Sequence, residues 1–272
     1  MLNQKQLDSF NDNGYLVIED FIDSDKRESL IDRAAHLIEG FDPNSHRTIF
    51  TTDEQERSSD EYFVSSANNV SFFFEKGAID IDGKFCVPKQ QSINKIGHAQ
   101  HILDPVYKSV IEHLRLDSLS KQLGMDKPRA IQSMHIFKQP RIGGEVGLHQ
   151  DSTFLYTEPM SCIGFWFALE DASIENGCLQ AIPGGHNIAL KKRFYMDKDN
   201  EAQFEVLDSS DYPEGQLEML EVKAGTMIIL HGQLPHYSDA NISPRSRQAL
   251  SVHIVDGNCH YPKDNWLQTE LT

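Results

Sequence analysis

The chain has 272 residues, 39% of them hydrophobic and 24% charged, a globular composition at a length that one large domain fills without disulfide staples. A formal net charge of −16 opposes binding to a polyanion or an anionic bilayer, so nucleic acid and membrane are excluded as expected partners. Cys86, Cys162, Cys178 and Cys259 are widely spaced with no Cys-x-x-Cys pair, which reads as free thiols. The first ten residues lack an apolar signal core, no apolar run reaches membrane-spanning length, and the chain does not end in Ser-Lys-Leu. The expectation is a cytoplasmic protein.

Residues 4–13 read as a short helix stopped by Gly14, followed by a strand over "YLVIEDF". Ser24 opens a capping pattern, and Leu30, Ile31, Ala34, Leu37 and Ile38 then recur at helical spacing. Residues 42–69 are polar and read as a long surface excursion. "SFFFEKGAIDIDGKF" reads as a hairpin turning at Asp82-Gly83. Asp104 and Pro105 cap and open another helix, with Val106, Val110, Ile111 and Leu114 on its buried face. After Pro128 the character changes. "RAIQSMHIFK", "LHQDSTFLY", "CIGFWFALED", "GCLQAIPGG", "GTMIILHG" and "RQALSVHIV" are short strand-like runs between Gly, Pro, Asn and Asp clusters. Many strands without intervening helices predict a mainly β sandwich or barrel with the earlier helices packed outside. A single domain over 1–272 is the simplest account, with a helical flank and loops at 1–128, a β core at 129–256 and a tail at 257–272.

Within "VGLHQDSTFLY" the chain's one His-x-acid triplet puts His149 and Asp151 on the same side of an extended run. "TMIILHGQLPHYSD", read as one strand, adds His231 and His236; 84 residues lie between Asp151 and His236. Two histidines and a carboxylate on one face of an iron leave three positions open, enough for a bidentate cosubstrate and O2. A catalytic zinc accepts the same donors with water in the remaining position, so the donors alone leave both metals open. Arg247, eleven residues past His236, favours the first case: a guanidinium facing the metal can fork a cosubstrate carboxylate, which a zinc hydrolase does not require.

"HQD" at 149–151, "ENGCLQAIPGGH" at 175–186, "AGTMIILHGQLPH" at 224–236 and "RSRQALS" at 245–251 resemble the phytanoyl-CoA dioxygenase family of Fe(II)- and 2-oxoglutarate-dependent oxygenases. "FFFEKGA", "SINKIGHA" and "IFKQPRIGGEVGLHQDSTFLYTEP" look closer still to one branch of it, and the resemblance runs from "GYLVIEDF" to "NWLQ". It implies a double-stranded β-helix, or jelly roll, with the iron inside. It implies Fe(II), 2-oxoglutarate and O2 as metal, cosubstrate and oxidant, with succinate and CO2 released as a small-molecule substrate is hydroxylated. It makes His149, Asp151 and His236 the iron ligands, favouring His236 over His231, which spacing alone does not. Arg247 falls on the distal carboxylate of 2-oxoglutarate, and Lys95, Met134, Trp166 and Ser238 match other cosubstrate-contacting positions. The alternatives are a cupin-like zinc hydrolase and a non-catalytic binding member of the fold; four intact site residues disfavour the latter.

The remaining candidates have plainer readings. His186 ends a tight turn, and His98, His101 and His113 read as polar surface beside a helix. Lys191, Lys192 and Arg193 form a basic run that could receive substrate phosphates but reads better as a solvated loop. With so acidic a chain and no peroxisomal ending, the expected substrate is a small or uncharged metabolite and not phytanoyl-CoA.

Overall fold

Helix α1 (Gln4–Asn13) begins and ends where its sequence predicts. The Asn3 side chain accepts from the Gln6 N–H while the Gln6 side chain accepts from the Asn3 N–H, a reciprocal cap. Gly14 closes it at φ 79°, and a Cβ there would lie 2.4 Å from Nδ1 of His186, so backbone angle and close packing both require glycine. Helix α2 (Ser24–Gly40) is capped one residue earlier than expected, by the Asp23 carboxylate accepting from Lys26 N–H, and it buries Leu30, Ala34 and Ile38. The computed structural model describes residues 1–43, 48–49, 61–80, 82, 84–213 and 217–268.

Among the described residues thirteen strands are arranged in three sheets. They are β1 (Tyr15–Ile18), β2 (Val70–Phe74), β3 (Ile93–His98), β4 (Pro128–Lys138), β5 (Val146–His149), β6 (Ile163–Ala168) and β7 (Leu179–Ala181). There follow β8 (Lys192–Met196), β9 (Ala202–Val206), β10 (Glu218–Leu220), β11 (Met227–His231), β12 (His236–Ser238) and β13 (Arg247–Asp256). The major sheet has the order β1-β11-β6-β13-β4-β3-β2 and the minor sheet β10-β7-β12-β5, with β8 and β9 forming a separate hairpin. All of the named pairings are antiparallel, and the two facing sheets make the jelly roll that the family resemblance implies.

The two faces of the major sheet explain its apolar sequences. Ile163, Phe165 and Phe167 of β6, Met227 and Ile229 of β11, and Leu250, Val252 and Ile254 of β13 point outward. They pack under α1, α2 and helix α4 (Pro105–His113), against Phe10, Leu30, Tyr107 and Val110. Each such buried side chain contributes about 1.5–3 kcal/mol. The alternate residues Trp166, Ala168, Ile228, Leu230 and Ala249 face the minor sheet. With both faces covered, "IGFWFA" and "MIIL" read as continuous apolar runs instead of alternating ones.

Several expectations are corrected. Strands β1, β2 and β3 come from residues before 128 and extend the major sheet on both sides, so that part of the chain is more than a helical flank. The stretch 42–69 is only partly described; within it helix α3 (Glu61–Ser65) buries Phe63 while Glu61 and Ser65 stay exposed. Gly83 of the expected hairpin turn lies outside the described residues, but the arms on either side meet as expected, Ile79 bridging Phe85 antiparallel with Asp80 N–H donating to Lys84 O and Cys86 N–H to Ala78 O, while β2 itself pairs with β3. On α4, Asp104 is the N-cap as expected, but Tyr107 takes the buried place assigned to Val106. "LHQDSTFLY" is a strand only to His149, and Asp151–Thr153 form a 3-10 turn. "TMIILHGQLPHYSD" is two strands in two different sheets, β11 and β12, broken at Gly232–Pro235. The hairpin of β8 and β9 was not foreseen; Asp197 organises its turn by accepting from the Asp199 and Glu201 N–H groups.

Candidate active site

His149 and His236 are directly opposite each other in the β5–β12 pair, so their side chains share a face, with ring centroids 4.2 Å apart. Asp151 joins them although the strand has ended, because Gln150 remains extended (φ −118°, ψ 131°) and carries the two-residue alternation one step further. The Gln150 side chain points the other way, donating to Gln233 O and accepting from Lys191 N–H, and so anchors the turn. Oδ1 of Asp151 lies 3.7 Å from Nε2 of His149 and 3.7 Å from Nε2 of His236. Among the described residues this is the one group of three or more such donors close enough to share a metal ion, all within 4.8 Å of one another.

The hydrogen bonds behind the rings orient them for that purpose. Nδ1 of His149 is 2.8 Å from Gly147 O, and Nδ1 of His236 is 3.0 Å from Leu234 O. A carbonyl oxygen only accepts, so each Nδ1 carries a hydrogen and each ring turns its Nε2 towards Asp151. Burial acts to raise the Asp151 carboxyl pKa, but the imidazoles of His253, His236 and His149 outweigh it and hold the group well below the ordinary carboxylate range. The carboxylate form, which a metal needs, is the one favoured.

A cavity of about 470 Å³ opens on these three residues, and Arg247, Lys95, Met134, Trp166 and Ser238 all line it. Arg247 is 2% exposed, and its Nε and one terminal nitrogen have no hydrogen-bond partner. Its guanidinium lies over the Trp166 ring at 5.4 Å, and burial lowers its pKa to about 10, leaving it charged at neutral pH. Directly opposite on β4 is Lys138, whose amino group donates to the carbonyls of Gly144, Ser238 and Asp239, and burial together with the Arg247 charge lowers its pKa to about 7. Two like charges facing each other across a strand pair oppose folding. An anion at this end of the cavity would reverse that cost. Lys95 runs between the Phe63 and Phe73 rings, at 5.4 and 5.1 Å, and Ser238 donates its hydroxyl hydrogen to Gly177 O.

His231 does not line the cavity. It packs against His186 and Phe10, and burial lowers its pKa to about 4. His186 reaches the Asn11 carbonyl, as befits a structural turn. The expectation of surface positions for His98 and His101 is wrong: both are buried, His98 lining the cavity and His101 bonded to Ser133, while His113 is exposed as expected. The basic run 191–193 is no solvated loop either. Lys191 is buried in contact with Asp208 and Ser210, and Arg193 bonds Asp264 between the Tyr156 and Tyr195 rings.

Other lining residues escaped sequence reasoning. Gln132, Met134, Ile136 and Lys138 alternate along β4, and Arg247, Ser251 and His253 do so along β13, so period two from a recognised residue would have found them. Trp266, stacked on Phe63 at 4.8 Å, comes from the expected tail and carries no such signal.

The comparisons with known proteins agree with this geometry. The family model described as phytanoyl-CoA dioxygenase (PhyH) matches residues 10–249. The chain belongs to the phytanoyl-CoA dioxygenase family. It is 47% identical over 268 residues to an Arabidopsis thaliana phytanoyl-CoA dioxygenase, covering 98% of this chain and 94% of the relative. It is 41% identical over 276 residues to the Bos taurus phytanoyl-CoA dioxygenase domain-containing protein 1, covering 98% and 95%. Among solved structures, the non-heme alpha ketoglutarate dependent carbocyclase SnoK from nogalamycin biosynthesis shares the fold at TM-score 0.66 and 19% identity, covering 97% of this chain and 87% of that one. EctD from S. alaskensis, with 2-oxoglutarate and 5-hydroxyectoine, does so at 0.65 and 22%, covering 99% and 80%.

As a phytanoyl-CoA dioxygenase family member the chain is an oxidoreductase, a 2-oxoglutarate-dependent dioxygenase using Fe(II), 2-oxoglutarate and O2. The residues present fit those groups. Two imidazoles and one carboxylate suit Fe(II), and the buried Arg247 with partnerless N–H groups suits a dicarboxylate. Among the described residues no helix is long and apolar enough to cross a membrane.

Proposed function

We propose that His149, Asp151 and His236 hold Fe(II) on one face, that Arg247 receives the distal carboxylate of 2-oxoglutarate, and that the enzyme hydroxylates a small metabolite. The observation that carries this reading is Arg247: a buried guanidinium with partnerless nitrogens, lining the same cavity as the two histidines and the carboxylate. A zinc hydrolase would have no use for it. Fe(II) bound with 2-oxoglutarate supplies O2 activation coupled to oxidative decarboxylation to succinate and CO2. The chain orients and shields. Trp166 stacks against the guanidinium, Lys138 adds positive potential, and Lys95, Met134 and Ser238 bound the cosubstrate. The stacked Phe63 and Trp266 rings form an apolar wall of the same cavity.

The domain acts as one unit over 1–272, since the cavity draws its lining from residues 63 to 266. Two observations favour a small substrate over a CoA ester. A cavity of about 470 Å³ is ordinary for a small-molecule site and must also hold the cosubstrate. Lys191 and Lys192 of the basic run do line the cavity, but Lys191 is already paired with Asp208 and Arg193 with Asp264, which leaves little of the run's charge for a set of phosphates. Fe(II)-dependent succinate formation, measured across neutral metabolites, free acids and acyl-CoA esters, tests the reading. Turnover is expected from one of the first two classes; coupled turnover of a CoA ester would overturn the substrate assignment.

A further inference from the structure

The two oxygens of Asp151 have different neighbours. Oδ1 faces His149 and His236, whereas Oδ2 lies 3.2 Å from Nε2 of His253, a residue only 3% exposed. Oδ2 is buried and makes no aligned hydrogen bond, the close approach to His253 included, and Nδ1 of His253 has no partner either. Behind the pair is Gly164, the register partner of His253 on β6. A Cβ at Gly164 would lie 3.0 Å from Oδ2 and 3.4 Å from Nε2 of His253, so the missing side chain is what lets the carboxylate and imidazole meet.

We propose that His253 is a positioning residue that holds Asp151 as a one-oxygen ligand, occupying Oδ2 so that Oδ1 alone is offered to the metal. The inference rests on the ligand assignment made above. Its chemical consequence is a matter of positions. Two imidazoles and one oxygen leave about three of the six sites of an octahedral ion, enough for bidentate 2-oxoglutarate and O2. A carboxylate that swings to bind through both oxygens leaves about two, and the oxidant then has no place. Strand β13 therefore sets both ends of the centre: His253 fixes the carboxylate ligand, and Arg247, six residues and about 20 Å of strand away, fixes the far end of the cosubstrate.

The test uses Mn(II) as the probe, in place of Fe(II), without cosubstrate. Water-proton relaxation per bound Mn(II) counts the coordination positions left to solvent, a property that a merely structural histidine would not alter. The wild-type chain binds Mn(II), and Asp151→Ala loses it; a wild-type chain that binds none overturns the ligand assignment and this inference together. Given binding, His253→Ala lowers relaxation per bound ion by about one third, as about three open positions become two. His253→Gln, which keeps an N–H at a similar reach, restores it. Unchanged relaxation in His253→Ala refutes the positioning role while leaving the ligands in place. Should His253→Ala fail to fold, Gly164→Ala decides. Its methyl crowds Oδ2 and weakens Mn(II) binding about 10–100-fold, the usual effect of disturbing a ligand's support, and unchanged affinity refutes the role.

Discussion

Replacing Arg247 by Met produces two effects of opposite sign. Without cosubstrate, the guanidinium is buried at 2% exposure with two partnerless nitrogens, and Lys138 faces it across the strand pair. Removing an uncompensated buried charge while keeping the side-chain volume stabilises the fold, by about 1–4 kcal/mol where well-packed apolar replacements have been compared. For a chain of this size that is a rise in Tm of a few degrees, at about 2–4 °C per kcal/mol. With cosubstrate the sign reverses, because the distal carboxylate of 2-oxoglutarate now enters a buried site without its partner. Leaving one buried charge unpaired costs about 3–5 kcal/mol, and the neighbouring Lys138 keeps the loss near the lower end, on the order of a hundredfold in affinity. Both tryptophans of the chain, Trp166 and Trp266, line the cavity, so intrinsic fluorescence follows 2-oxoglutarate binding to the Mn(II)-loaded protein directly. A loss below tenfold, or a Tm that falls in the absence of cosubstrate, would refute the assignment of Arg247 as the carboxylate's partner.

The two distal histidines separate by sheet: His236→Ala is expected to lose Mn(II) in calorimetric titration and His231→Ala to keep it, and the reverse pattern would move the site to β11. Asp151→Ala is expected to abolish Fe(II)-dependent succinate formation while its circular dichroism stays that of the native chain; full activity would remove the triad. Burial lowers the pKa values of His101, His135 and His231 to about 4 in the fold, below the ordinary imidazole value near 6.5. Unfolding therefore takes up protons, and stability is complete above about pH 6.5 and lost as pH falls towards 4, by up to about 1.4 kcal/mol per pH unit for each histidine. Urea midpoints of the chelator-treated protein at pH 7 and pH 5 check this, and equal midpoints would contradict it.

The sequence carried the inner donors clearly because local rules place them. His149 and Asp151 need only an extended backbone through Gln150, and Arg247 opens a long regular strand. The helices were legible for the same reason: Asn3, Gly14, Asp104 and Pro105 act within one turn of themselves. What remained hidden depended on partners far along the chain. Gly232 and Pro235 mark a break within "TMIILHGQLPH", but nothing local reports that His231 and His236 then enter different sheets. Residues 191–193 look solvated until Asp208 and Asp264 fold onto them, and His98 looks exposed until Phe63 and Trp266 close around it. Lys138 and His253 were within reach of period-two counting from Met134 and Arg247, which places whole rows of side chains on the cavity face.

The most direct test of the centre is a crystal structure of the protein grown anaerobically with Mn(II) and 2-oxoglutarate. The account predicts one anomalous peak at coordination distance, roughly 2.0–2.2 Å, from Nε2 of His149, Nε2 of His236 and Oδ1 of Asp151, with the distal carboxylate of 2-oxoglutarate on the Arg247 guanidinium. A metal bound elsewhere, or a cosubstrate whose far carboxylate leaves Arg247 unpaired, would contradict it.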